Sequence, residues 1–156
     1  MFPDHRYSTL AGRILIAAIF LMSGIGKIAD PQGTQHYMQA MGMTWATTLF
    51  YVGAIVIEVG GGLSLLLGYW TRAGAVALML FMIPTTLVFH TNFGDQNQMI
   101  HFLKNLAMFG GLFYVAAYGA GPLSLDARLR GGPMGQPHLN IGIREEEQEW
   151  RRRTSA

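Results

Sequence analysis

Apolar residues dominate four long stretches of the chain, and polar residues gather between and after them. The stretches run from about Ser8 to Ile28, Trp45 to Trp70, Ala73 to His90 and Met99 to Tyr118. A membrane-crossing helix needs about 20 mostly apolar residues to span about 30 Å of hydrocarbon. Each stretch therefore predicts one transmembrane helix, and the predicted fold is all-α, a four-transmembrane-helix bundle. Asp30-Pro31 and Gly33 close the first helix, because proline cannot continue a helix and biases the residue before it towards extended backbone. "YWTRAG" is short enough to make the second and third helices antiparallel neighbours. "HTNFGDQNQ" (His90 to Gln98) reads as a polar loop.

Composition sharpens this picture. The chain is 51% hydrophobic and 13% charged, against about 25% charged in soluble domains. Between Tyr7 and Leu125 only seven charges occur: Arg13, Lys27, Asp30, Glu58, Arg72, Asp95 and Lys104. So few charges cannot cover a water-facing surface, so lipid is the expected solvent of this region. The pI of about 9.2 reflects arginines at membrane edges and in a tail, and implies no nucleic acid. The absence of cysteine excludes thiol catalysis, disulfide relay, iron–sulfur clusters and covalent haem attachment. The first helix does not read as a cleavable signal, since "GKIADPQG" runs straight into a loop without a small-residue cleavage site.

Orientation follows the Lys/Arg bias. One side holds Arg6, Arg13, Arg72, Arg128 and Arg130, and the other only Lys27 and Lys104. Both termini are therefore expected in the cytoplasm, with Tyr7, Tyr69, Trp70 and Tyr118 as an inner aromatic belt and Trp45 in an outer one. Residues 1–125 form the expected membrane domain and residues 126–156 a cytoplasmic tail. The tail has a Gly/Pro-rich part, "RLRGGPMGQPHLN", and a charged part, "IREEEQEWRRR". Glu147 with Arg151, and Glu149 with Arg153, stand at i,i+4 and favour a short helix there. The tail is expected to dock on another chain.

Glu58 is the residue that most needs explaining. A charge at mid-membrane costs about 3 kcal/mol on insertion scales, so it must face inward and find a partner or hold a proton. Helical side chains lean towards their own N-terminus. Lys27, on a helix running the opposite way, therefore leans towards Glu58. Lys104 and Asn105 are expected close by, with Arg13 and His90 completing a buried polar cluster. The plain reading is that these charges fix helix register and insertion. The sharper one is a proton- or quinone-linked pocket. Gly60, Ser64 and Gly68 make a small-xxx-small run that lets another helix approach, with Gly24 and Gly61 on the same seam.

Other motifs are weaker. Pro84 breaks the third span and frees the carbonyl of Leu80, with Thr85 and Thr86 at hand to satisfy the disturbed backbone. His90 and His101 flank the outer loop with Asp95 between them, two histidines without a third committed metal ligand, and they lie too near the membrane edge for haem. His36, Met38, Met41 and Met43 in loop one offer a soft Cu(I) set. The competing reading makes Tyr37, Met38 and Met41 the apolar face of a short interfacial helix.

The chain resembles the DoxX family of small four-helix membrane proteins. The resemblance rests on Arg13, "SGIGKIADP" (Ser23 to Pro31), Glu58 followed by "GGGLSLLLG", "TRAGA" (Thr71 to Ala75) and "KNLAMFGGL" (Lys104 to Leu112). It covers about residues 8 to 120. It implies a multi-pass protein of the bacterial inner (cytoplasmic) membrane without established catalysis. It also implies a link to quinol-oxidising or thiosulfate–quinone systems, to oxidative-stress complexes, or to assembly of other membrane proteins. The expected role is a non-catalytic accessory subunit of a respiratory or quinone-linked complex, contacting larger subunits through its helices and tail. The rivals are a stand-alone redox or transport protein with a quinone or proton site around Glu58, and an assembly factor. No cofactor follows from the residues alone, and quinone is the one this pocket admits.

Overall fold

The computed structural model describes residues 5–130. The expected tail helix and its docking fall on residues outside that range. Among the described residues there are six helices and no strand: α1 (His5–Ala29), α2 (Pro31–Ala40), α3 (Thr47–Leu67), α4 (Thr71–Phe89), α5 (Gln96–Tyr118) and α6 (Leu125–Leu129). Helices α1, α3, α4 and α5 are long and apolar enough to cross a membrane. The bundle has two ends, one carrying α2 and the other carrying α6. The expected domain boundary at 125 falls between the first two residues of α6.

Asp30-Pro31 ends one helix and starts the next. Asp30 is the N-cap of α2, its carboxylate accepting from Gly33 N at 2.9 Å. Pro31 occupies the first turn, where its missing N–H costs nothing. Loop one therefore contains the short helix that its apolar residues suggested. Met38 is buried and Tyr37 stacks on Phe89 of α4 at 5.6 Å. Met41 lies just past the helix as its exposed C-cap.

Glycines set how closely the spans approach. A Cβ on Gly24 would strike Val59, one on Gly62 would strike Leu21, and one on Gly61 would strike Leu78. Consecutive helical positions point about 100° apart, so Gly61 admits α4 while Gly62 admits α1. Gly74 of α4 packs in turn on Ser64. Gly60 is different. It is exposed, with nothing within 4 Å, so of the expected small-xxx-small run Ser64 and Gly68 make close contacts and Gly60 does not. The close approach sits one residue later because the face of α3 that meets its neighbours passes through Gly61, not Gly60.

The core is built from Ala17, Phe20, Leu65, Ala75, Leu78, Met82, Leu112 and Val115. It lies towards the α6 end, where Gly111 of α5 meets Ile16 of α1. Contacts between α1 and α5 are sparse compared with those of α1 with α3 and of α4 with α5. The two helices therefore leave room between them towards the α2 end. Pro84 stands inside α4 beside that room, and the helix runs on through it to Phe89, so the expected break does not occur. Thr85 Oγ1 donates back to Phe81 O at 3.0 Å and Met82 O at 3.1 Å. The hydroxyl thus serves these two carbonyls and not that of Leu80, and Thr86 accepts from Asn105 of α5 instead.

Candidate functional site

Lys27 stands near the end of α1 and Glu58 halfway along α3. The two helices run antiparallel and are drawn together at Gly24 and Gly62, so the side chains converge. Lys27 Nζ lies 3.0 Å from Glu58 Oε1 and 2.9 Å from Oε2. It also donates to Ser23 Oγ at 2.8 Å, and Ser23 donates on to Glu58 Oε1 at 3.2 Å. Tyr51 OH donates to Lys27 O at 3.0 Å and ties the end of α1 to α3. The Glu58 side chain is 6% exposed and that of Lys27 23%. A buried carboxylate survives here because the ammonium and the hydroxyl replace the water it has lost.

This group lines a cavity of about 780 Å³. Its floor holds Phe20, Ser23, Glu58, Met82 and Met108, and Lys27 stands beside them. The walls are apolar, with Phe50, Ala54, Phe81 and Val88 among them. Tyr37 and Met38 of α2 and the polar residues Asp30, His90 and Lys104 also line the cavity. Such a volume suits a small organic molecule.

Asn105 lines the cavity and donates to Thr86 Oγ1 at 3.0 Å. His90 Nδ1 is 2.8 Å from Gln98 Oε1, and its ring stacks on that of His101 at 5.1 Å. Lys104 Nζ is 3.1 Å from His101 Nδ1. An ammonium cannot accept, so it donates and this nitrogen carries no proton. Lys104 and Asn105 share the cavity with Glu58 without bonding to it.

Arg13 does not belong to the cluster. Fourteen residues separate it from Lys27 along α1, about 21 Å of helix. It is buried at the α6 end, where Nη2 donates to Leu123 O at 2.6 Å. The guanidinium packs against Gly68, which closes α3 in the left-handed conformation at φ 67°. A cation there complements the carbonyl end of the helix. The four loop-one residues also divide. Met38 and Met43 line the cavity, whereas His36 and Met41 are exposed. The wall residues Phe81, Phe89 and Met108 had no signal beyond hydrophobicity, which any span shows.

Four apolar spans around a polar-floored cavity define a polytopic membrane protein. The chain belongs to the DoxX family, whose model matches residues 8–91. That match ends at the α4–α5 loop, short of Lys104 and Asn105. The chain is similar to inner membrane protein YqjF of Escherichia coli strain K12, 38% identical over 120 residues covering 77% of this chain and 90% of that protein. It is also similar to inner membrane protein YphA of the same strain, 31% identical over 125 residues, 76% of this chain and 88% of that protein. No solved structure matches it. It is a multi-pass protein of the bacterial inner membrane, and the apolar outer faces of its spans meet lipid.

Proposed function

We propose that the protein binds a small amphipathic molecule in the cavity at its α2 end, with both termini in the cytoplasm. One observation carries the reading: an apolar-walled cavity reaches the level of Glu58 and ends on a hydrogen-bonded Lys27–Glu58–Ser23 group. Ionisable groups inside membranes are costly and mark ligand or ion pathways. A quinone has the fitting chemistry, an apolar ring and carbonyl oxygens, one of which would replace Ser23 or Glu58 as acceptor of a Lys27 Nζ hydrogen. The test is native extraction in polymer discs followed by mass spectrometry of the small molecules released. Ala54→Phe, which fills the cavity from α3, should remove a species that the parent protein carries. An unchanged set of released molecules from the folded variant would defeat the proposal.

A second reading is favoured by α5. It is the least buried of the four spans, and Leu103, Leu106, Phe113 and Tyr114 are exposed along it. That face suits an accessory subunit packed on a larger membrane chain, the respiratory link being an inference from the family resemblance. Purification in mild detergent, followed by identification of chains at fixed stoichiometry, tests it. Isolation as a lone chain that still carries the small molecule would reject this reading and leave the first standing.

A further inference from the structure

We propose that the molecule in the cavity carries a negative charge, and that Lys104 is the residue that receives it. The inference rests on the cavity reading and replaces the neutral quinone by an anionic amphiphile, a single carboxylate or phosphate on an apolar body.

The two cations and two carboxylates around the cavity sum to zero, so pairing decides which of them is open to a ligand. Four charged side chains line the cavity: Lys27, Asp30, Glu58 and Lys104. Lys27 and Glu58 neutralise each other through two contacts of 3.0 and 2.9 Å. Asp30 is committed to the first turn of α2, where it accepts from Gly33 N at 2.9 Å and meets the positive end of that helix. Lys104 is left over. Among the described residues no carboxylate lies within 4 Å of its Nζ, whose hydrogen bond goes to the neutral imidazole of His101.

Lys104 is exposed, and what it lacks is a counter-charge within its span. Lys104 is the ninth residue of α5, about 12 Å along the helix from its start, within a membrane-spanning segment. Nearby Asp95 could have been its counter-charge. Instead Asp95 caps α5, accepting from Asn97 N at 2.8 Å. An ammonium that lines a largely apolar cavity, with no carboxylate of the described residues in contact, is fitted to an anion. It can make one charge-assisted hydrogen bond to an oxygen at the mouth while the apolar body lies among Phe81, Val88 and Met108. A lysine that merely snorkels to the membrane surface predicts no preference between charged and neutral occupants.

The test uses the full chain in nanodiscs of phosphatidylcholine. The probes are dodecanoate and dodecanol carrying the same photoreactive diazirine, and labelled peptides are located by mass spectrometry. Dodecanoate should label the cavity segments of α4 and α5 at about tenfold lower concentration than dodecanol. Lys104→Gln should erase that difference, and Lys104→Arg should keep it. Equal labelling of the cavity by the two probes overturns the charge assignment and leaves the cavity reading intact. No cavity labelling by either probe overturns both. Repeating the titration with phosphatidylglycerol in the disc separates the sources. Suppressed dodecanoate labelling assigns the site to an anionic lipid headgroup, and undiminished labelling assigns it to a free acid; each supports an anionic occupant.

Discussion

Asp126 caps α4 across a separation of fifty-five residues from Thr71, its carboxylate accepting from Thr71 N at 3.0 Å and Thr71 Oγ1 at 2.8 Å. Trp70 N adds a third bond at 2.9 Å, and Asp126 N returns one to Gly68 O at 2.7 Å. Helix α4 has no acidic residue in its first turn and its own N-cap, Trp70, has no side-chain cap to give. Trp70 also holds a left-handed φ of 49°, a conformation that costs a non-glycine residue about 1 kcal/mol. The carboxylate offsets this by satisfying the N–H groups that the turn exposes.

The cap has a predictable pH dependence. Burial alone would raise the Asp126 pKa, but the bonds from Thr71 and Trp70 and the charge of Arg130 outweigh it and hold the carboxyl below the usual aspartate range. A depressed folded-state pKa means stability that is full above the unfolded value and lost as pH falls through the folded one. Asp126→Asn should therefore destabilise the bundle by about 1 kcal/mol at pH 5 to 8, and the gap to the parent should close only below about pH 4. Thermal unfolding in detergent across that range measures it. A gap that closes near pH 6 would contradict the assignment.

Removing one member of the buried pair should be worse than removing both. Lys27→Met leaves the Glu58 carboxylate uncompensated, at a cost of about 3–5 kcal/mol. The double variant Lys27→Met/Glu58→Gln should recover part of that loss. Monodisperse yield by fluorescence-detected size exclusion is the readout. A double variant no better than the single would show that the pair does not act through charge balance.

Adjacent glycines should respond oppositely. Gly61→Ala meets Leu78 and should cost about 1–3 kcal/mol by overpacking. Gly60→Ala meets nothing within 4 Å and should be neutral or slightly stabilising, since alanine is the better helix former. Melting temperatures of the two variants decide it, and equal losses would misplace the interface.

The Tyr37–Phe89 stack should govern access to the cavity. An aromatic pair adds about 0.5–1.5 kcal/mol beyond area burial, so Tyr37→Ala should speed entry of a reagent about two- to tenfold. The chain has no cysteine, so a single Ala54→Cys on the cavity wall reports directly by its alkylation rate. An unchanged rate would rule out α2 as the cover.

Topology can be read by the same chemistry. A cysteine at exposed Arg128 should resist a membrane-impermeant thiol reagent in intact cells, whereas one at exposed Thr44 should react. The reverse pattern would invert the bundle.

Some of this was legible from the chain alone and some was not. The four spans were, because hydrophobic length is a local property. The meeting of Lys27 and Glu58 was also readable, since antiparallel helices tilt their side chains towards one another. Gly60 misled because spacing of small residues defines a face but not the rotation of that face against a neighbour. Arg13 was grouped with the wrong charges because its partner is the backbone oxygen of Leu123, which carries no sequence signature. The role of Asp126 depends on where the chain returns after α5, and nothing near residue 126 announces it. The cavity arises from where α1 and α5 fail to touch, and an absence of contact leaves no mark on either helix.

The balance of the Lys27–Glu58 pair also fixes how the bundle stands in the transmembrane voltage. Moving one elementary charge through the whole field changes the energy by about 2.3 kcal/mol per 100 mV. A contact pair with no net charge feels almost none of this, so the folded bundle can hold a carboxylate halfway along α3 without its stability following the state of energisation of the cell. Lys27→Met would end that indifference for as long as Glu58 stays ionised, and proton uptake by the lone carboxylate would restore it.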